Sequence, residues 1–188
     1  MSVARLVVVR HGETEWSASG RHTSRTDLAL TEEGRRRAAA LAGALRRPFA
    51  VVLCSPLRRA RETCDLAGFG ERAMIEADLL EWDYGDYEGL TTPEIRAANP
   101  GWSLWRDGCP GGESPSQVSE RADRVLARVD AIEGDALAFA HGHILRVLSA
   151  RWLSMDVAAG ARFALSAGAL GVLGHERDTR VIERWNVT

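Results

Sequence analysis

The sequence predicts an α/β fold carried on a mainly parallel sheet. Two observations support this. Short apolar runs of strand length, at 5–10, 50–54 and 135–140, stand out from the rest of the chain. Between them lie longer stretches whose apolar residues recur at helical spacing, so strands and helices alternate. There is no internal repeat, linker or low-complexity tract, and 188 residues suit one domain, 1–188, with one core.

The elements follow in order. Arg5 to Arg10 reads as a buried strand. Thr31 to Arg47 reads as a helix capped by Thr31, with Glu32 and Glu33 in its first turn and Ala38, Leu41, Ala42 and Leu45 on one face; Pro48 follows its end. Ala50 to Cys54 is a second strand. Ser55-Pro56 then reads as an N-cap and N1 proline opening a helix that stops near Gly68. Ser114-Pro115-Ser116-Gln117 is a capping box, ahead of a buried stripe of Val118, Ala122, Val125 and Val129. Asp135 to Ala140 is a third strand, and the chain from Gly142 onward is helical, with Ile144, Val147, Leu148 and Trp152 on one side. Ala169–Gly174 and Arg180–Trp185 read as late strands, antiparallel in part.

Composition excludes several classes. The formal net charge of −2 supplies no field for nucleic acid or for a membrane surface. The first apolar run, Leu6 to Val9, is too short for a signal peptide or a span. Cys54, Cys64 and Cys109 are odd in number and lack C-x-x-C spacing, which points to a reducing, cytoplasmic setting without structural zinc or disulfides. All 24 basic side chains are arginine. Schiff-base, Walker-type and Ser-Lys chemistries are therefore unavailable, and any anion is held by Arg, His or backbone N–H groups.

In parallel sheets ligands bind at the carboxyl ends of the strands. Here those ends carry Arg10-His11-Gly12-Glu13-Thr14, Ser55-Pro56-Leu57-Arg58-Arg59 and His141-Gly142-His143. Arginine offers a planar fork that matches phosphate oxygens. Glycine after each histidine admits close backbone approach, and a helix opening at Gly142 points N–H groups at an anion. A lone histidine at a strand end is more often structural, and Arg58 and Arg61 suit a solvated helix face; the conjunction is what outlines a tetrahedral-anion site.

The ordered set Arg10-His11-Gly12-Glu13-Thr14, Ser55-x-Leu57-x-Arg59-Ala60-x-x-Thr63, Glu81 and His141-Gly142 resembles the histidine phosphatase superfamily, over nearly the whole chain. The stretches 20–28 and 81–89 resemble its sedoheptulose-bisphosphatase-type and bacterial acid phosphatases. The resemblance implies a phosphoglycerate-mutase-like, three-layer sandwich with helices on both faces of the sheet. It also implies a phosphatase that hydrolyses small phosphomonoesters through a phosphohistidine, without metal or cofactor. By that resemblance His11 is the nucleophile, Arg10, Arg59 and His141 hold the phosphoryl group, and Glu81 is the proton donor and later the base. Ser17, Thr23 and Ser24 fall where relatives contact phosphate or substrate, and Gly142 offers its backbone N–H. The chemistry is coherent apart from the resemblance: neutral imidazole attacks phosphorus, arginines spread the charge of the transferring group, and a carboxylic acid protonates the leaving alkoxide.

The segment 77–113 is long for a connection and reads as a lid or binding loop. Trp82 or Tyr84 is expected to wall the substrate, with Trp102 and Trp105 in the lid's own small core. Asp83, Asp86 and Glu88 suggest a cation site but fit a solvated loop better. His22 and His143 are rim contacts or structural residues, and His175 reads as surface. Two other functions stand beside the phosphatase. A phosphoglycerate-mutase-type transferase is disfavoured by Trp82 directly after the acid and by a lid with only Arg96 and Arg106 as cations; a non-catalytic binding module is disfavoured by the intact His11, Arg59, Glu81 and His141. Trp-bearing edges are compatible with a homodimer.

Overall fold

The computed structural model describes residues 4–188; the first three residues of the expected 1–188 domain lie outside them. A six-stranded sheet forms the middle layer, in the order β3-β2-β4-β1-β5-β6. The strands are β1 Leu6–Arg10, β2 Val51–Cys54, β3 Ala73–Ile75, β4 Ala136–Ala140, β5 Leu170–Glu176 and β6 Thr179–Val187. The four on one side, β3, β2, β4 and β1, run parallel. The late pair β5 and β6 is antiparallel, as the sequence suggested.

Side chains alternate across this sheet, and each face buries its own cluster. Val7, Val9, Val52, Leu137 and Phe139 point to one face, where α2 (Glu32–Ala44) supplies Leu41 and α3 (Arg58–Leu66) supplies Ala60 and Cys64. Leu6, Val8, Leu53, Ala136 and Ala138 point to the other. There α6 (Pro115–Asp130) supplies Val118, Ala122 and Val125, and α7 (Gly142–Trp152) supplies Ile144, Leu148 and Trp152. Helices thus cover both faces, the expected three-layer arrangement. Each fully buried Val, Leu or Phe contributes about 1.5–3 kcal/mol, so the alternation also sets the strand register.

Caps follow the sequence in two places and depart in a third. Thr31 accepts the Gly34 N–H, and Ser114 and Gln117 form the capping box of α6. Ser55 is not the cap: α3 begins at Arg58 behind Leu57, and the Ser55 hydroxyl accepts from the Leu57 N–H at 3.5 Å and lies 2.7 Å from Nε2 of His141. His175 is half-buried rather than on the surface, its ring 5.1 Å from that of Trp152.

The segment 77–113 packs into the body of the molecule. It holds two short 3-10 turns followed by α4 (Thr92–Ala98) and α5 (Leu104–Asp107). Leu79, Trp82, Ile95, Trp102 and Leu104 belong to the same buried cluster as the sheet. The Glu113 N–H donates to the Asp83 carbonyl, the Asp83 N–H to the Glu113 carboxylate and the Asp86 N–H to the Pro110 carbonyl, which closes the segment on itself.

Candidate active site

Parallel pairing places the first histidine beside the second. Arg10 is in register with Ala140, and the N–H of His11 donates to the Ala140 carbonyl. The next residues out of β1 and β4 are His11 and His141, whose ring centroids lie 5.2 Å apart. The Ser55 N–H bonds to the Phe139 carbonyl, bringing the end of β2 to the same edge. The loop after His11 lies tight on α2: a Cβ at Gly12 would stand 2.5 Å from the Gly34 carbonyl oxygen, so no larger residue fits. The Gly12 N–H is in turn held by the buried Thr63 hydroxyl at 2.9 Å.

Hydrogen bonds settle the tautomers. Nδ1 of His11 is 2.7 Å from the Gly12 carbonyl, which only accepts, so Nδ1 carries the proton and Nε2 keeps its lone pair. Burial first, then the charges of Arg10 and Arg59, hold the His11 imidazolium pKa well below its usual 6.5. His141 is fully buried; its Nδ1 accepts from Arg59 Nε at 3.1 Å, so Nε2–H donates to Ser55. Burial, then Arg59, His11 and Arg10, lowers its pKa strongly too. Both rings are neutral at physiological pH.

The two arginines differ. Arg10 gives Nη1 to the Leu165 carbonyl at 2.6 Å, while its buried Nε has no partner. Arg59 is fully buried and spends its fork on His141 and on the carbonyls of Thr23, Ser24 and Thr26. It therefore ties the loop 23–26 to His141 and acts on the site through its charge. Glu81 sits at the start of α7: Oε1 accepts from the N–H groups of Trp82 and Ile144, and Oε2 from that of His143. Gly142 packs against the Arg10 guanidinium; a Cβ there would stand 3.3 Å from its Cζ.

These groups open on a pocket of about 250 Å³ lined by Arg10, His11, Glu81 and Gly142. Ser17 and Thr23 line it as well, although the Ser17 hydroxyl also closes the cap of the short helix α1 (Glu15–Ser19). Ser24 lies outside this pocket, with its hydroxyl 2.6 Å from Glu88. The sequence-based site thus assembles into two tiers: His11, Glu81, Arg10, Gly142, Ser17 and Thr23 on the pocket, and His141, Arg59 and Ser24 buried behind it.

Of the aromatic candidates, Tyr84 lines the pocket, whereas Trp82 is fully buried with its indole N–H on the Glu113 carbonyl. Two acidic residues of this loop are tied to neighbouring groups, while Asp86 is exposed. Asp83 pairs with Arg25, and Glu88 accepts from Ser24 and Thr26. Two charged pocket residues, Arg21 and Arg146, were not singled out by sequence reasoning, while His22 and His143, read there as rim contacts or structural residues, line the same pocket. The i, i+3 spacing of His143 and Arg146 at the start of α7 was the available signal.

With this geometry in hand, comparison with known proteins is specific. A family model described as histidine phosphatase superfamily (branch 1) matches residues 6–188. An acid phosphatase of Mycobacterium tuberculosis is 44% identical over 181 residues, covering 94% of this chain and 89% of the relative. A sedoheptulose 1,7-bisphosphatase of Saccharomyces cerevisiae is 36% identical over 186 residues, covering 81% and 69%. A solved Mycobacterium tuberculosis structure superposes with a TM-score of 0.94 at 42% identity, covering 98% of both chains.

Proposed function

The chain belongs to the histidine phosphatase superfamily and is a phosphatase, and from that premise we propose how its own residues share the reaction on small phosphomonoesters. The observation that carries the proposal is the His11 tautomer: Nδ1–H is fixed on the Gly12 carbonyl, leaving Nε2 as a neutral nucleophile on the pocket. The phosphoryl group sits between the unpartnered Nε of Arg10 and the N–H of Gly142 at the start of α7. His11 Nε2 attacks phosphorus, forming the N–P bond as the ester P–O bond breaks. Glu81, entering as the acid, gives its proton to the departing alkoxide. In the second half water attacks, the N–P bond breaks, Glu81 takes the water proton, and phosphate leaves a neutral His11.

His141 and Arg59 support this from behind. Arg59 adds positive charge beside the transferring group and fixes the His141 ring. Thr23 and Ser17 contact substrate from the rim, and Ser24 acts by holding Glu88. Arginines 21 and 146 on the same wall suit a substrate with a second anionic group, as the bisphosphate named for the yeast relative would present. That feature also keeps a mutase-type transfer as the second reading.

We place the whole chain in one domain, with 77–113 as the lid and active-site loop segment, acting in the cytoplasm. Three free, buried cysteines support a reducing compartment, and no described helix is long and apolar enough to cross a membrane. The test is phosphate release by purified protein from a panel of phosphorylated metabolites, beside 3-phosphoglycerate isomerisation primed with bisphosphoglycerate. Hydrolysis is expected to dominate. Faster isomerisation would replace the phosphatase reading with the mutase one.

A further inference from the structure

The mechanism above leaves one buried titratable pair without a step. The Tyr84 hydroxyl lies 2.6 Å from Nδ1 of His143. Tyr84 is only 2% exposed, and no other hydrogen-bond partner reaches its hydroxyl among the described residues. A buried phenol needs an acceptor, so the O–H donates to Nδ1. His143 is thereby held in the tautomer whose proton is on Nε2. That Nε2 has no protein partner and is not among the buried unpartnered atoms, while the residue lines the pocket; the N–H opens on the substrate side.

The ring is fixed from several directions. Its backbone N–H is on Glu81, and its plane is tilted 57° against Trp105 at 5.3 Å. His22 adds a second imidazole 6.0 Å away, itself 4.7 Å from the Tyr84 ring and within 3.3 Å of the Thr92 hydroxyl. Tyr84, His143 and His22 thus add neutral donors and acceptors to a pocket whose cations are Arg10, Arg21 and Arg146. Burial keeps both imidazoles uncharged, with pKa values below the usual 6.5. Neutral, rigid hydrogen-bonding groups on a pocket wall discriminate alcohols by their hydroxyls, because a bound alcohol that lacks the partner covers the N–H and leaves it unpaired.

We propose that His143, with its tautomer set by Tyr84, is a specificity-determining residue that donates Nε2–H to a hydroxyl of the leaving alcohol, so that the enzyme selects phosphate esters of polyhydroxylated alcohols. The proposal rests on the phosphatase reading of this pocket.

Propyl phosphate and glycerol 3-phosphate make a matched pair, since they differ only in hydroxyl groups. Wild-type kcat/KM is expected to favour the glycerol ester by at least tenfold. In His143→Phe and in Tyr84→Phe the ratio falls toward one, and His143→Gln, which keeps an N–H donor, retains part of the preference. Nitrogen-15 NMR should show the Nε2–H tautomer of His143 in wild type and a mixture in Tyr84→Phe. A wild-type ratio near one, an unchanged ratio in both Phe variants, or an Nδ1–H tautomer in wild type would each overturn the assignment. Failure of wild type to hydrolyse either ester would instead overturn the phosphatase reading, and this proposal with it.

Discussion

Replacing Arg59 with lysine keeps the positive charge and removes the fork. The guanidinium is fully buried and donates to four acceptors: His141 Nδ1 at 3.1 Å, Thr26 O at 2.9 Å, Thr23 O at 3.1 Å and Ser24 O at 3.0 Å. These lie around the edge of a planar fork, served by Nε, Nη1 and Nη2 in different directions, and one ammonium cannot reach them all. At least two acceptors lose their partner. Each orphaned buried group costs about 1–3 kcal/mol, so Arg59→Lys is expected to destabilise the protein by about 2–6 kcal/mol. Against a typical total of about 5–15 kcal/mol, that is a large share. Urea unfolding followed by the fluorescence of the six tryptophans measures it. The loop 23–26 and the His141 ring both lose their anchor, so kcat/KM of the folded fraction should fall as well. An unfolding free energy within about 0.5 kcal/mol of wild type, the range of an ordinary surface change, would refute the view that this arginine ties the loop to His141.

Two further outcomes follow from the site. The folded-state pKa values of His11 and His141 are depressed well below 6.5 by burial and neighbouring arginines. Between those values and 6.5 the unfolded chain binds more protons, so stability should fall as pH drops below 6.5, by up to about 2.7 kcal/mol per pH unit for the two, and these groups should contribute no slope above it. Stability that stays level from pH 6.5 to 5 would contradict their burial as neutral rings. Glu81→Gln should slow an alkyl phosphate by about 10²–10⁴-fold while slowing p-nitrophenyl phosphate far less, since the activated phenol leaves without an acid. Equal loss on both esters would move the leaving-group proton to another donor.

What could be read in the sequence was what local pattern dictates. The runs of β1, β2 and β4 are apolar enough, and the capping boxes plain enough, that the parallel core and the meeting of His11 with His141 follow from alternation alone. Where local and tertiary demands compete, the reading slips. Ser55-Pro56 has the form of a helix start, but the hydroxyl is claimed by a histidine 86 residues later. Trp82 stands next to the acid and would be expected on the substrate, yet the turn at Glu81 sends it inward to the core. The helices of 77–113 are only seven and four residues long, too short for periodicity to show, although the Thr91–Glu94 box stands in the chain. The division of labour between Arg10 and Arg59 could not be read either. Both reach the same edge, and the carbonyls of Thr23, Ser24 and Thr26 occupy the fork of Arg59 while Arg10 keeps its Nε unpartnered.

The central claim is a covalent phosphoryl group on Nε2 of His11. It is tested by mixing the enzyme with a phosphorus-32-labelled substrate, quenching within milliseconds under alkaline conditions that preserve phosphohistidine, and mapping the label by peptide. Acid-labile label on the peptide containing His11, formed faster than turnover and absent from His11→Ala along with activity, is the predicted result. Label on a serine or carboxylate, or undiminished turnover in His11→Ala, would contradict the account.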